Sequence, residues 1–322
     1  MWGTPGRISD EGKDLGILVV KIVLLAVLLM MLNGIGSRFL PAAETEGTGQ
    51  VSEPVVESAP APPSGSFMAL VLIVMLLQTV ALAYPIVRSK WRGWKLALAV
   101  FLLYFGTVTF MSQIESLVYL GGKMPNGMIQ GLFAMGLLNA AVFSPVAVLV
   151  LGKWKNDTTA SVTSGHREPT SAGEWAWKTA VGGLVFLSLY YLFGYFVAWK
   201  NPLLRDFYGG TDPGSFFAQM SSIVESTPWM LPFQYLRSLL WVALAVLVIR
   251  MMIGSWWQVA LAVSLLFTVP SIYLLFPNPM MPDAVRIAHL VETAPYQFLF
   301  GWFVVWLFSR LGAGRLSAQP AS

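Results

Sequence analysis

Three ionisable side chains stand inside otherwise apolar runs. Glu115 lies in Phe110-Met111-Ser112-Gln113-Ile114-Glu115-Ser116-Leu117. His289 and Glu292 lie in Val285-Arg286-Ile287-Ala288-His289-Leu290-Val291-Glu292-Thr293. A carboxylate beside an imidazole can hold a proton, a cation or a polar solute, and with a metal ion it can activate water. His289-x-x-Glu292 places both groups on one helical face. Arg286, His289 and Glu292, spaced i, i+3, i+6, cover an arc of roughly 120°. That face should point into a helix bundle, because a charge at the bilayer centre costs about 2.5–3.5 kcal/mol on the insertion scale, and less nearer the interface.

Three readings of this set stay open. Glu115 or Glu292 pairs with Arg286 or Arg237 and the cluster only knits helices together. Alternatively, Glu115, His289, Glu292, Arg286 and Gln113 line a site for a proton, a cation or a small polar solute. In the third reading Glu115, His289 and Glu292 ligate a divalent metal for hydrolysis of a lipid-like or peptide substrate. Asp206, Asp212, Arg205 and Glu225 are weaker candidates, and all but Glu225 read as solvated loop charges. Asn139 reads as a hydrogen-bonding contact between helices.

Composition narrows the chemistry. Cysteine is absent, which excludes disulfides, thiolate metal sites, Cys-ligated iron–sulfur clusters and Cys nucleophiles. The two histidines, His166 and His289, are expected on opposite sides of a membrane, so they cannot bracket a haem. Neither Gly-x-Ser-x-Gly, His-Glu-x-x-His nor a phosphate-binding glycine loop occurs. The net charge is +4, yet the basic residues sit in short loops between apolar runs rather than on an aromatic-interleaved surface, which argues against a nucleic-acid partner.

The elements that must position these groups are membrane helices. Of the 322 residues 56% are hydrophobic and only 11% charged, against roughly 25% charged in a soluble domain. Eight apolar runs approach or exceed the ~18 residues of a spanning helix: about 15–32, 67–87, 96–120, 128–151, 178–199, 236–253, 256–276 and 284–307. The first is expected to be a retained helix rather than a cleaved signal, with Lys21 snorkelling to the interface. Most Lys and Arg residues fall in the segments that place both termini in the cytoplasm of a multi-pass cell-membrane protein. Glu115, His289 and Glu292 then lie within roughly 7–13 Å of the outer ends of their helices, at similar depth.

The expected organisation is residues 1–40 as N-terminal segment and first helix, and 41–66 as an acidic, Pro-rich outer linker without structure. Residues 67–309 form a seven-helix membrane bundle, and 310–322 a cytoplasmic tail. Residues 200–234 should form a small outer cap. There Thr211-Asp212-Pro213 reads as a helix start, and Phe216, Phe217, Met220, Ile223 and Val224 make the apolar face of an interfacial helix. The whole is an all-α integral membrane protein with the bilayer as its first partner. Binding or transport of a small solute or ion at an outward-facing polar site is the favoured function. A membrane-embedded hydrolase and a scaffold for a protein partner are the alternatives.

Overall fold

The computed structural model describes residues 5–41, 65–120, 122, 124–155, 171–212, 214–277 and 281–310. Residues 42–64 of the expected linker, the tail beyond 310, Pro213 and His166 lie outside the described residues. The helices are α1 (Pro5–Gly36), α2 (Gly65–Val87), α3 (Gly93–Leu120), α4 (Met128–Val150), α5 (Ala172–Ala198), α6 (Pro202–Tyr208), α7 (Phe216–Ser226), α8 (Met230–Met251), α9 (Trp256–Leu275) and α10 (Asp283–Arg310). Among the described residues there is no strand, only an isolated bridge between Ser89 and Met252. This is an all-α, multi-pass membrane bundle.

Seven of the helices, α1 to α5, α8 and α9, are long and apolar enough to cross a membrane. The eighth long helix, α10, falls short of that composition for a chemical reason: its first half carries Arg286, His289, Glu292, Thr293 and Gln297. Its 28 residues still reach about 42 Å, more than the ~30 Å hydrocarbon layer. It packs against α5, α6, α8 and α9, burying Arg286, Glu292 and Gln297 while Ile287, Val291 and Leu299 stay exposed. The polar face therefore turns inward, as its periodicity requires. By contrast α1 lies at the rim. It buries Leu25, Leu29 and Leu32 along one stripe and exposes Leu15, Val20, Leu24 and Met31, the surface expected of a lipid-facing helix.

The centre of the bundle is aromatic. Phe186 meets Phe300 edge-on at 4.9 Å and Trp241 at 6.0 Å, and Trp241 meets Phe267 at 4.7 Å. Small residues let backbones approach where there is no side chain to interdigitate. A Cβ on Gly301 would lie 2.6 Å from the Ser264 Cα, and one on Gly131 would lie 2.3 Å from the Phe39 carbonyl oxygen.

Two helices loosen near the candidate residues. In α3, Phe105–Phe110 winds as a π-helical turn, and the Met111 N–H reaches back to the Gly106 carbonyl. In α5, Gly194–Ala198 does the same, and the Trp199 N–H donates to the Gly194 carbonyl at 2.8 Å. Such turns occur often at functional sites. The cap differs in detail from the sequence reading. Its first part is the short helix α6, which Asn201 caps by accepting the Leu203 N–H at 3.0 Å, with Pro202 in the first turn. Helix α7 starts at Phe216, later than the expected start at Thr211-Asp212. Asp212 accepts from the Gly214 N–H instead, Gly214 takes a φ of +70°, and Ser215 caps the helix through the Ala218 N–H at 3.1 Å. Phe216 packs between Tyr195 and Phe196 of α5, while Phe217 and Val224 face outward.

Candidate functional site

At the end of the bundle covered by α6 and α7, two groups of polar side chains meet the core. The first is built by α10 and α6. His289 and Glu292 lie one turn apart, with His289 Nδ1 3.0 Å from Glu292 Oε2. On the other side of the ring, Nε2 lies 3.0 Å from the Tyr208 hydroxyl. With its hydrogen on Nδ1, a neutral His289 donates to Glu292 and accepts from Tyr208, so both bonds are satisfied. Glu292 is buried, and His289 and Tyr208 are half-buried. Ala198, Leu204 and Val285 form a small apolar cluster with Trp199, Phe207 and Ala288, which clamps α6 to the start of α10. Tyr208 ends that short helix, and Gly209 follows it at a φ of +74°. Burial pushes the Tyr208 hydroxyl above its ordinary range, and the Glu115 and Glu292 carboxylates push the same way. Tyr208 therefore keeps its proton at neutral pH and can donate it to a neutral His289. Gly194, at the start of the π turn in α5, leaves room for Glu292: a Cβ there would lie 3.3 Å from Oε1.

The second group joins α3 to α8. The buried Arg237 guanidinium forks onto Glu115, with Nη1 donating to Oε1 at 3.1 Å and Nη2 to Oε2. Nη1 also donates to Gln234 Oε1 at 3.1 Å, and Nη2 to the Met111 carbonyl at 3.4 Å. Gln234 Nε2 in turn donates to the Tyr119 hydroxyl at 3.1 Å, which lies 3.0 Å from the Tyr190 hydroxyl. Tyr190 and Tyr296, with ring centroids 6.2 Å apart, stand within electrostatic reach of Glu115, Arg237 and Glu292. The two groups thus share one field while making separate hydrogen bonds.

Of the residues singled out in the sequence, the structure brings His289 and Glu292 into direct contact. Glu115 belongs to Arg237, which is one of the helix-knitting pairs the sequence left open. Arg286 leaves the set. Its Nη1 donates to the Leu274 and Phe276 carbonyls at 2.7 and 2.6 Å, and its Nη2 to Asp283 at 2.5 Å, so it caps the end of α9. Gln113 Oε1 is buried without a hydrogen-bond partner among the described residues. Among the described residues no three His, Asp or Glu side chains are placed to hold a metal ion together. The expected Glu115–His289–Glu292 ligand set is therefore not assembled, since Arg237 takes both Glu115 oxygens.

Sequence reasoning missed Tyr208, Gln234 and the tyrosines at 119, 190 and 296. The first had a readable signal: Asn201-Pro202 is a cap followed by proline, and Tyr208-Gly209 is a helix end. The tyrosines had none, because aromatic residues at helical spacing in a membrane span are ordinary packing. No family model matches the chain, and no curated protein or solved structure matches it significantly.

Proposed function

We propose that this multi-pass protein binds and relays a proton at Tyr208–His289–Glu292, in the service of binding or transporting a small polar solute or ion from the outer side of the cell membrane. The observation that carries this reading is the bracketing of His289. A carboxylate faces Nδ1 and a protonated hydroxyl faces Nε2, each at 3.0 Å. A neutral imidazole so placed takes the Tyr208 hydrogen bond. A protonated one donates on both sides, and the Tyr208 hydrogen must turn elsewhere. Gain of one proton thus rearranges the contact between α6 and α10, which couples protonation to the cap. The basic loops at the opposite end support cytoplasmic termini and an outward-facing site.

The test uses the full chain in nanodiscs. Thermal unfolding is followed across about pH 5 to 8 with sodium, potassium, ammonium, acetate and glycine as probes. At least one probe is expected to raise the unfolding midpoint in a pH-dependent way, and His289→Gln and Glu292→Gln are expected to abolish that dependence while the protein still folds. A wild-type response that survives both substitutions would overturn the proposal. The order hydroxyl, imidazole, carboxylate also suits acid–base chemistry in a membrane-embedded hydrolase. In that case His289→Ala would remove turnover of a fluorogenic ester or peptide.

A further inference from the structure

The opposite end of the bundle carries a second site, independent of the one above. Three turns are tied there into one platform. The Lys90 N–H donates to the Met251 carbonyl at 2.8 Å, the Ile253 N–H to the Arg88 carbonyl at 2.8 Å, and the Gly93 N–H to the Lys153 carbonyl at 2.9 Å. Between them opens a cleft of about 210 Å³ lined by Val87, Arg88, Ser89, Lys153, Ile253 and Gly254. Two cations therefore face one small concavity. Arg88 Nη2 donates to Gln258 Oε1 at 3.1 Å and Lys153 Nζ to the Ser89 carbonyl at 3.1 Å, which holds both side chains at the rim of the cleft. Gly254 takes a φ of +155°, and a Cβ there would lie 2.7 Å from Gln258 Oε1. The glycine thus lets Gln258 fold back over the turn, where it caps the Ser255 N–H at 3.0 Å and holds Arg88 in place.

The surroundings say which anion fits. Trp94 packs edge-on against Trp154 at 4.8 Å and is 72% exposed, and Trp257 is exposed nearby in sequence to the third turn. Lys95 stands 4.3 Å over the Trp91 ring. Tryptophan mixed with Lys and Arg at the ends of spans is the pattern of a headgroup layer. From this end α3 and α4 expose Leu98, Leu102 and Leu149, a surface for acyl chains. The cleft itself has room for a headgroup and none for a chain.

We propose that the Arg88–Lys153 cleft binds the phosphate of an anionic phospholipid headgroup, with the acyl chains left in the bilayer beside α3 and α4. The full chain is reconstituted in phosphatidylcholine nanodiscs, phosphatidylglycerol is titrated in, and the unfolding midpoint is read. Phosphatidylglycerol is expected to raise the midpoint. Arg88→Gln and Lys153→Gln should each shift the half-effect content about fivefold higher, the equivalent of one cation at a membrane surface. Each variant is compared with itself in pure phosphatidylcholine, so a general loss of stability cancels. Lys95→Gln, which removes a cation from the first turn of α3 outside the cleft, is expected to shift the titration clearly less than either cleft variant, and inorganic phosphate added to phosphatidylcholine discs is expected to have no effect. Equal weakening by Lys95→Gln would reduce the effect to diffuse surface charge. A phosphate response matching that of phosphatidylglycerol would make the ligand a soluble anion. Either result, or a wild-type midpoint indifferent to phosphatidylglycerol, overturns the assignment.

Discussion

The Glu115–Arg237 group and the Tyr208–His289–Glu292 group lie at the same end of one bundle, yet they solve burial in opposite ways. Arg237 is always charged, and it is surrounded by acceptors: a forked carboxylate, an amide oxygen and a backbone carbonyl. His289 has two partners, and which of its nitrogens donates depends on its own protonation. A guanidinium forked onto a carboxylate fixes helix to helix, whereas a half-buried imidazole with a reversible partner can switch. The comparison assigns fastening to the first group and response to the second.

The harshest way to break this comparison is at the fastener. Arg237→Met strands Glu115, and unfolding in detergent should show a loss of about 3 kcal/mol. That is the low end for a broken buried pair, because the Glu115 side chain is 30% exposed. Adding Glu115→Leu should recover most of it, since an apolar pair in place of an ion pair is often neutral. An Arg237→Met protein as stable as wild type would remove the fastening role. Next in size is Glu292→Gln, which keeps an acceptor for His289 but not the charge. It should cost about 1–2 kcal/mol and flatten the pH dependence of probe binding, and a strong pH dependence retained in this variant would count against the relay.

Tyr208→Phe probes the same relay from the other side. Removing a neutral hydrogen bond should cost about 1 kcal/mol. Because burial holds the Tyr208 hydroxyl above its ordinary value, its folded form keeps a proton that the unfolded chain loses. Its own ionisation therefore adds no pH dependence near neutrality, and the stability it supplies is lost only as pH rises past about 10. Protonating His289 breaks its bond with Tyr208, so the Tyr208→Phe effect, read by unfolding at each pH across about pH 5 to 8, is expected to vary with pH and to stop varying in a His289→Gln background; an effect that stays constant would remove Tyr208 from the proposed relay. The smallest expected effect is Gly194→Ala. A new Cβ 3.3 Å from Glu292 Oε1 must displace the carboxylate by a few tenths of an ångström. Stability should change by roughly 0.5 kcal/mol or less, while the His289 imidazole signal, isolated in a His166→Gln background, should move. An unmoved signal would show that Gly194 does not help position Glu292.

Much of this was legible from the chain itself. The spans follow from length and hydropathy, both local properties, and their observed bounds lie within a few residues of those expected, except that α1 begins ten residues early at Pro5 and α5 and α8 begin six residues early, at Ala172 and Met230. The inward polar face of α10 follows from 3.6-residue periodicity. Where the reading failed, it failed on partners. The Glu115 stretch was matched in depth to His289 and Glu292, but depth leaves several helices as candidates around the circumference of a bundle. Arg286 was read as part of the site because it shares a face with His289. One turn nearer the helix start, that face meets the carbonyls at the end of α9 rather than the interior.

The sequence by itself determined that this is a membrane bundle, that α10 turns a polar stripe inward, and that His289 and Glu292 share it. Composition and periodicity are enough for that, because lipid accepts few charges and a helix repeats its faces. Only the tertiary structure decided that Arg237, 122 residues from Glu115, takes that carboxylate, and that Tyr208, 81 residues from His289, takes the other nitrogen of its ring. A periodic pattern says which side of a helix seeks a partner. Which partner it finds is set by how the helices are arranged around one another, and here that arrangement rests on the aromatic centre and on the close backbone approaches at Gly131 and Gly301.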